Sequence, residues 1–343
     1  MSPSAPCSVV VLNYNGRHLL EACLGSVLGQ EYGEFEVLLV DNGSTDGSTD
    51  WARSRFPGVR IVDAGSNLGF AGGNNLGVRC ASHQRIVLLN NDTVVRPGWL
   101  RELMAALEDP GMAVVSSLVI TRGIPEKYYE RNGSLNFLGH NIMRAYHVPE
   151  HIFYCTGASL AFKKDLLREP FDGDYFAYSE DVYLSLRARF MGYGVAHVGS
   201  SVVDHLGGAT AGRTPEVRVT MLQERNRLLN LLVFFSPWTL VRISPYLLLN
   251  IAAKAAGALA GRYPPSGILQ AYAWLLSHPR VIARKRESVR KDRRVGDEEV
   301  VGWMTGRLTN AETGLQRFVD WISLAYCRAV GLRTLEFFPP ETR

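Results

Sequence analysis

Short apolar runs alternate with helical stretches through the first 120 residues, and no other feature of the chain constrains its fold as strongly. The runs predict strands because they are short and rich in Val, Ile and Leu; they cover residues 8–12, 35–40, 59–62, 85–89 and 113–120. Helical spacing falls between them at residues 17–28, 48–56, 71–81 and 99–107. This order predicts an α/β fold of the Rossmann-like kind, a mostly parallel sheet with helices on both faces.

Polar loops follow four of the predicted strands, and three of these loops contain glycine. They are residues 13–16 (Asn-Tyr-Asn-Gly), 41–44 (Asp-Asn-Gly-Ser), 65–75 and 90–92 (Asn-Asn-Asp). Ligands of open α/β sheets bind outside the carboxyl ends of the strands. The four loops therefore predict one binding crevice along that edge.

The second half of the chain has a different pattern. Residues 121–150 lack periodicity and predict an ordered insertion, after which residues 152–162 resume strand character and residues 181–191 resemble a helix. From residue 216 the chain is Leu-rich and helical, and we expect Ser244-Pro245 to interrupt a helix there. We expect a catalytic domain over residues 1–215, divided at residue 120, and a helical domain over residues 216–343.

Charge and cysteine usage exclude several classes of protein. The net charge of +4 is too small for a general nucleic-acid surface. The five cysteines form no Cys-x-x-Cys pair, so zinc or redox chemistry is not indicated. No secretory leader and no apolar stretch of about 20 residues is present, which predicts a cytoplasmic protein.

Asp92 is the first candidate for metal binding. It follows a strand directly, and Mg²⁺ or Mn²⁺ needs only one or two protein carboxylates when phosphate oxygens and water complete its shell. The alternative is that Asn91 and Asp92 only cap the turn before the next helix.

Four motifs in order resemble the family 2 glycosyltransferases of the GT-A fold, and within them the rhamnosyltransferase-like branch of bacterial surface-polysaccharide synthesis. The motifs are residues 13–15, 40–48, 67–75 and 88–92. The resemblance implies a metal-dependent, inverting transfer from a nucleotide-diphosphate sugar, dTDP-rhamnose or a UDP-sugar, to a glycan or lipid-linked acceptor. Two rivals remain: a catalytically silent nucleotide-sugar-binding scaffold, and a nucleotide-dependent oxidoreductase, which the lack of Gly-x-Gly-x-x-Gly after the first strand disfavours.

The resemblance also implies the donor-binding residues. Asp41 would bind the nucleotide base. The other residues expected around the same donor are Asn13, Tyr14, Asn15, Asn67, Gly72, Asn74 and Asn91. A carboxylate at position 41 can accept a hydrogen bond from a pyrimidine ring N–H. Asp46, in contrast, suits a turn or a helix start.

The resemblance further implies how the metal and the base are supplied. Asn90 stands where family members commonly have the first Asp of Asp-x-Asp, so Asp92 needs a second ligand, and His205 is the candidate. In the acidic segment, Asp181 is the candidate general base and Glu180 its competitor. The structural alternative is that both carboxylates simply begin a helix.

Further positions are open between function and structure. Thr156 and Gly157 resemble the acceptor side of the donor pocket, and equally suit a tightly packed strand. Arg225 and Arg227 could neutralise a phosphate or lie on a solvated helix face. The apolar residues 228–249 and the basic run 280–294 fit a unit on an anionic membrane at the inner face of the cell membrane, an ordinary packed subdomain, or a homodimer interface.

Overall fold

The computed structural model describes residues 5–123, 133–142, 152–206, 216–310 and 313–337. The strands are β1 (Cys7–Asn13), β2 (Phe35–Asp41), β3 (Arg60–Asp63), β4 (Arg85–Asn90), β5 (Thr93–Val95), β6 (Met112–Thr121), β7 (Ser159–Lys163) and β8 (Gly194–His205). The helices are α1 (Arg17–Leu28), α2 (Ser48–Arg55), α3 (Gly69–Cys80), α4 (Trp99–Leu107), α5 (Glu180–Phe190), α6 (Glu216–Phe234), α7 (Pro237–Leu259), α8 (Pro265–Ser277), α9 (Pro279–Asp292), α10 (Asp297–Val301) and α11 (Gly314–Ala329). The expected insertion lies largely outside these residues.

All eight strands form one sheet, in the order β3-β2-β1-β4-β7-β6-β8-β5. Strand β1 pairs in parallel with both β2 and β4, whereas β7 runs antiparallel to β4 and β6. The register places Asn13 beside Asp41, and Leu12 beside Asn90. The carboxyl ends of the three central parallel strands therefore meet at one edge, and the predicted α/β fold is confirmed.

The core of the sheet explains why these runs form strands. Strands β1 and β4 are buried on both faces, as their continuous Val and Leu residues require. Helix α4 closes one face with Trp99, which is fully buried and donates its indole N–H to Ser117 and Ser159, both at 3.0 Å. Those bonds satisfy the one polar atom of a large apolar side chain. Strands β5 and β8 were not predicted from the sequence.

Helix α7 continues through Pro245, so the predicted interruption there is wrong. A proline inside a helix leaves the carbonyl four residues earlier without its N–H donor. Here that carbonyl belongs to Val241, and the Ser244 hydroxyl donates to it at 2.8 Å. The serine before the proline thus replaces the missing bond and lets the helix pass.

The chain divides into two compact units. The first comprises residues 1–130, 155–184 and 193–213, and the second comprises residues 131–154, 185–192 and 214–343. The first holds the whole sheet and the second holds helices α6 to α11. None of the described helices is long and apolar enough to cross a bilayer. The domain boundaries expected from the sequence stay a prediction.

Candidate functional site

Side-chain hydrogen bonds join the ends of three neighbouring strands. Asn13, which is fully buried at the end of β1, donates from Nδ2 to Asp41 at 3.4 Å and to the Ser44 hydroxyl at 3.2 Å. Its Oδ1 accepts from Asn91 Nδ2 at 2.7 Å. Because Asn13 uses both its amide groups, the positions of Asp41 and Asn91 are fixed relative to each other.

Gly16 makes this contact possible. A methyl group on Gly16 would collide with the Asn91 amide and approach Asn13 Oδ1. Any larger residue would therefore displace the bond between these two side chains. From the sequence, Gly16 was only one residue of a predicted loop. Its steric role could not be predicted, because that role depends on the contact with Asn91.

Several predicted donor residues shape the loops. Asn15 accepts from the Thr45 backbone N–H at 2.7 Å and donates its own N–H to Ser44 at 2.9 Å, so it joins the loops after β1 and β2. Asn67 accepts from Asn42 Nδ2 at 3.2 Å and holds the loop before α3. The roles of Ser44 and Asn42 were not predicted, although both residues lie in the motif at residues 40–48.

Asp46 has the structural surroundings that the sequence indicated. Its carboxylate accepts from the backbone N–H groups of Arg17 and Ser48, the first residues of α1 and α2, at 2.9 and 3.1 Å. Although burial opposes it, hydrogen bonding from Ser48 and these N–H groups lowers the pKa of Asp46. A carboxylate at two helix starts also suits the helix dipoles.

Asn74 presents an unused acceptor. Its Nδ2 donates to the Phe70 carbonyl at 3.0 Å, while its Oδ1 is buried and has no hydrogen-bond partner among the described residues. Such atoms are rare in proteins and point to a missing ligand or water. Gly72, two residues earlier, is half-buried, as is Tyr14.

Asp92 and His205 lie side by side. The pairing of β5 with β8 sets Thr93 opposite His205, and the distance between Asp92 Oδ1 and His205 Nε2 is 3.2 Å. Asp92 is 5% exposed, and Nδ1 of His205 lies 3.4 Å from the Thr121 hydroxyl. A carboxylate oxygen and an imidazole nitrogen this close can both contact one divalent ion.

A short backbone link brings the acidic pair to the same edge. The Asn90 N–H donates to the Ala158 carbonyl at 3.0 Å, and the neighbouring Gly157 N–H donates to Asp181 Oδ2 at 3.3 Å. Asp181 Oδ1 accepts from the Val182 N–H at 2.8 Å. Gly157 therefore connects Asp181 to the strand end that carries Asn90, while Thr156 beside it is half-buried.

Burial separates the acidities of the two carboxyl groups. Burial and the charge of Asp181 raise the pKa of Glu180 to about 8, and one of its oxygens has no partner among the described residues. Burial raises the pKa of Asp181 to about 6, although the Val182 and Gly157 N–H groups act in the opposite direction. Both pKa values are raised and that of Glu180 is raised more, which favours Glu180 as the carboxyl that carries a shared proton.

The backbone before this pair has an unusual conformation. Phe176, Tyr178 and Ser179 have φ angles of 62°, 71° and 61°, a region that non-glycine residues rarely adopt. The Phe176 carbonyl accepts from the Ala71 N–H at 3.1 Å, and a side chain on Gly69 would collide with Phe176. The start of α3 thus holds the strained turn in place, as is common at functional sites.

The two arginines lie in the second unit, in a buried polar cluster. Arg227 forms an ion pair with Glu224 at 2.7 Å, and Lys254 also contacts that carboxylate. Arg225 donates to Asn226 at 2.9 Å and its guanidinium lies 4.9 Å from the ring centre of Trp274. Both arginines are nine-tenths or more buried, so a solvated helix face is excluded for them. Their contact with a phosphate stays a prediction.

The model of a family described as "Glycosyl transferase family 2" matches residues 8–171. An N-acetylglucosaminyl-diphospho-decaprenol L-rhamnosyltransferase of Mycobacterium tuberculosis is 26% identical over 60% of this chain and 78% of its own length.

Two other relatives match over smaller parts. The low-salt glycan biosynthesis hexosyltransferase Agl10 of Haloferax volcanii is 22% identical over 53% of this chain and 61% of its own. An uncharacterized glycosyltransferase of Haemophilus influenzae is 26% identical over 29% of this chain and 32% of its own. The chain thus spans less than two thirds of these two relatives.

Solved structures agree on the fold. GalNAc-T7, crystallised with UDP, GalNAc and Mn²⁺, has a TM-score of 0.58 at 15% identity, covering 71% of this chain and 51% of its own. The mannosyltransferase PcManGT of Pyrobaculum calidifontis, in complex with GDP-Man and Mn²⁺, has a TM-score of 0.51 at 21% identity, covering 83% and 85%. At such identities the likeness establishes the GT-A fold alone.

Proposed function

We infer that this chain is an enzyme of the glycosyltransferase class, because residues 8–171 are a family 2 glycosyltransferase domain. We propose that it moves a sugar from a nucleotide-diphosphate donor with inversion at the anomeric carbon. The observation that carries the proposal is the pair of buried Glu180 and half-buried Asp181, linked through Gly157 and Ala158 to the strand end next to Asp92. A base and a metal-binding carboxylate at one sheet edge are what this transfer needs.

The donor is proposed to lie along the joined strand ends. Asp41 accepts from a ring N–H of the base, and the unused Asn74 Oδ1 accepts from the base or ribose. Asn91, held by Asn13, lies beside the ribose. dTDP-rhamnose is the first donor to test and UDP-sugars the second, since a rhamnosyltransferase is among the relatives.

Asp181 is proposed as the general base. At neutral pH it is ionised beside a protonated Glu180, so it can take the proton of an acceptor hydroxyl as that oxygen attacks the anomeric carbon. Its raised pKa strengthens it as a base relative to an exposed aspartate. Attack from the side opposite the diphosphate inverts the configuration.

A divalent cation, Mg²⁺ or Mn²⁺, is proposed as cofactor, held by Asp92 and His205. The 3.2 Å separation and the oxygen and nitrogen donors fit such an ion. Within the described residues, no group of three or more His, Cys, Asp or Glu side chains could hold a metal. The donor diphosphate and water would have to complete the shell, and the ion would supply positive charge to the leaving diphosphate.

The proposed acceptor is a glycan or a lipid-linked diphosphate, because the mycobacterial relative is named for a sugar-diphospho-decaprenol. We propose accordingly that the enzyme acts in polysaccharide synthesis, in the cytoplasm at the inner face of the cell membrane. Thr156 and Gly157 are proposed to border the acceptor.

A donor screen tests the proposal. We expect one class of nucleotide sugar to raise the melting temperature by several degrees with Mn²⁺ present, since a ligand at about 100 times its Kd stabilises by about 2.7 kcal/mol. Chelation with EDTA should remove most of the shift. Release of nucleoside diphosphate on adding a glycan or lipid-linked acceptor then separates an enzyme from a silent scaffold. No shift with any nucleotide sugar contradicts the proposal.

The pH dependence of turnover identifies the base. If Asp181 is the base, turnover should be constant down to about pH 7 and then fall tenfold per pH unit below its pKa of about 6, because protonation removes the base. If Glu180 were the base, the fall should begin near pH 8. Single-turnover rates between pH 5 and 9, with donor saturating, distinguish the two.

A further inference from the structure

Helix α7 (Pro237–Leu259) has an outer face without polar groups. Every exposed position of this fully described helix carries an apolar side chain. Trp238, Leu248 and Leu259 are 66%, 64% and 89% exposed. Surface helices of globular proteins normally place polar residues outward. The contiguous apolar face therefore needs an explanation beyond folding.

Helix α11 (Gly314–Ala329) extends this face within the same unit. The Tyr326 hydroxyl donates to the Arg242 carbonyl at 2.6 Å, and the rings of Tyr326 and Tyr246 are 4.7 Å apart. Helix neighbours three or four residues apart share a face, so exposed Val241 and Ile322 lie within one turn of this contact. The other exposed large apolar side chains of α11 are Leu315, Phe318 and Trp321. We call these two exposed surfaces together the α7–α11 face.

The exposed charges of the two helices α7 and α11 are of one sign. Helix α11 exposes Arg317 and Arg328, while its only carboxylate, Asp320, is 3% exposed and accepts from the Leu308 and Thr309 N–H groups. Helix α7 has no carboxylate, and its Lys254 is paired with buried Glu224. Glu298 of α10, 4.0 Å from Arg242, is the nearby exposed carboxylate.

We propose that the α7–α11 face docks in the plane of an anionic lipid bilayer. Exposed tryptophans beside leucines are typical of surfaces at a membrane–water interface, and exposed arginines complement anionic headgroups. A second copy fits less well, because the same face of another molecule would offer exposed arginines and no exposed carboxylate of α7 or α11 to pair with them. This inference does not depend on which sugar is transferred.

The face includes only part of the segment that the sequence indicated, since Trp238 and Leu248 lie within residues 228–249 but the start of that segment is buried. Leu228, Leu229 and Leu231 are buried inside the second unit and cannot meet lipid. In the basic run, Arg293 pairs with Asp297 at 2.7 Å and Arg286 donates to the Leu232 carbonyl, so both have structural roles. The docking surface also includes α11, for which the sequence gave no membrane indication.

Vesicle flotation of the full chain tests the inference. We expect binding to vesicles of phosphatidylcholine with phosphatidylglycerol, and weaker binding to phosphatidylcholine alone or at high salt. The triple variant Trp238→Ser, Leu248→Ser, Leu249→Ser should lower the partition coefficient by about tenfold or more. The reason is that it removes apolar side chains that would be buried in the bilayer. Arg317→Glu with Arg328→Glu should abolish the preference for the anionic lipid.

Leu28→Ser is the matched control. Leu28 is an exposed leucine (42%) on α1, in the first unit, and its replacement should leave flotation unchanged. The replaced side chains are exposed, so melting curves should show every variant folded. Wild-type protein that ignores anionic vesicles overturns the inference. A second result also overturns the inference. In it, light scattering shows a wild-type dimer that the triple variant converts to a monomer, while flotation is unchanged. The donor-induced melting shift is read separately and is unaffected by either result.

Discussion

We expect Asp181→Asn to lower turnover by about 10²- to 10⁴-fold, the usual contribution of a general base. Asparagine keeps the size of the side chain and an oxygen that can accept from the Val182 N–H, but it cannot take a proton. Donor affinity should stay unchanged, because Asp181 lies at the acceptor side of the proposed reaction. The measurement is a single-turnover rate beside a donor titration followed by melting temperature.

The control for Asp181→Asn is Glu180→Gln at the neighbouring position. Glu180 is protonated near pH 7, so a neutral glutamine resembles its native state and should retain far more turnover than Asp181→Asn. If Glu180→Gln is the inactive protein and Asp181→Asn is active, the base has been assigned to the wrong carboxylate.

The fold of the first half was predictable because its signals are local. The predicted and observed bounds of α1 and α4 coincide, and the five predicted strands are all present within one residue at each end. Each strand is a short buried run between turn residues, which sequence alone reveals. Strand β8 was missed because its burial is irregular, with exposed Gly199 and Ser200 at a register shift against β6.

The sequence supplied candidate residues for the site, but it could not predict the contacts between them. Asp92 and His205 were paired from resemblance, and the distance between them comes only from the pairing of β5 with β8. The turn at Phe176 is held by Gly69, more than a hundred residues earlier. No local pattern reports such long-range packing. Helix α7 shows the same limit, since its passage through Pro245 depends on one side-chain bond.

Asp92→Ala should reduce metal-dependent donor binding by about 30-fold or more, because losing even an outer partner of a metal ligand typically lowers metal affinity by about 10- to 100-fold. Asp92 is 5% exposed and lies 3.2 Å from His205, so its loss leaves the histidine as the remaining protein ligand of the proposed pair. The measurement is donor affinity by calorimetry with Mn²⁺ and with EDTA. In the variant the two affinities should become nearly equal.

Asp204→Ala is the matched control for Asp92→Ala. Asp204 is next to His205 in sequence, yet its carboxylate is paired with exposed Arg96 at 2.7 Å, away from the proposed ligands. An exposed pair of this kind stabilises a protein little, so donor binding should keep its dependence on Mn²⁺. Equal losses in both variants would indicate a general effect of charge at this edge of the sheet. A loss confined to Asp92→Ala supports direct ligation, and donor affinity that keeps its Mn²⁺ dependence without Asp92 contradicts it.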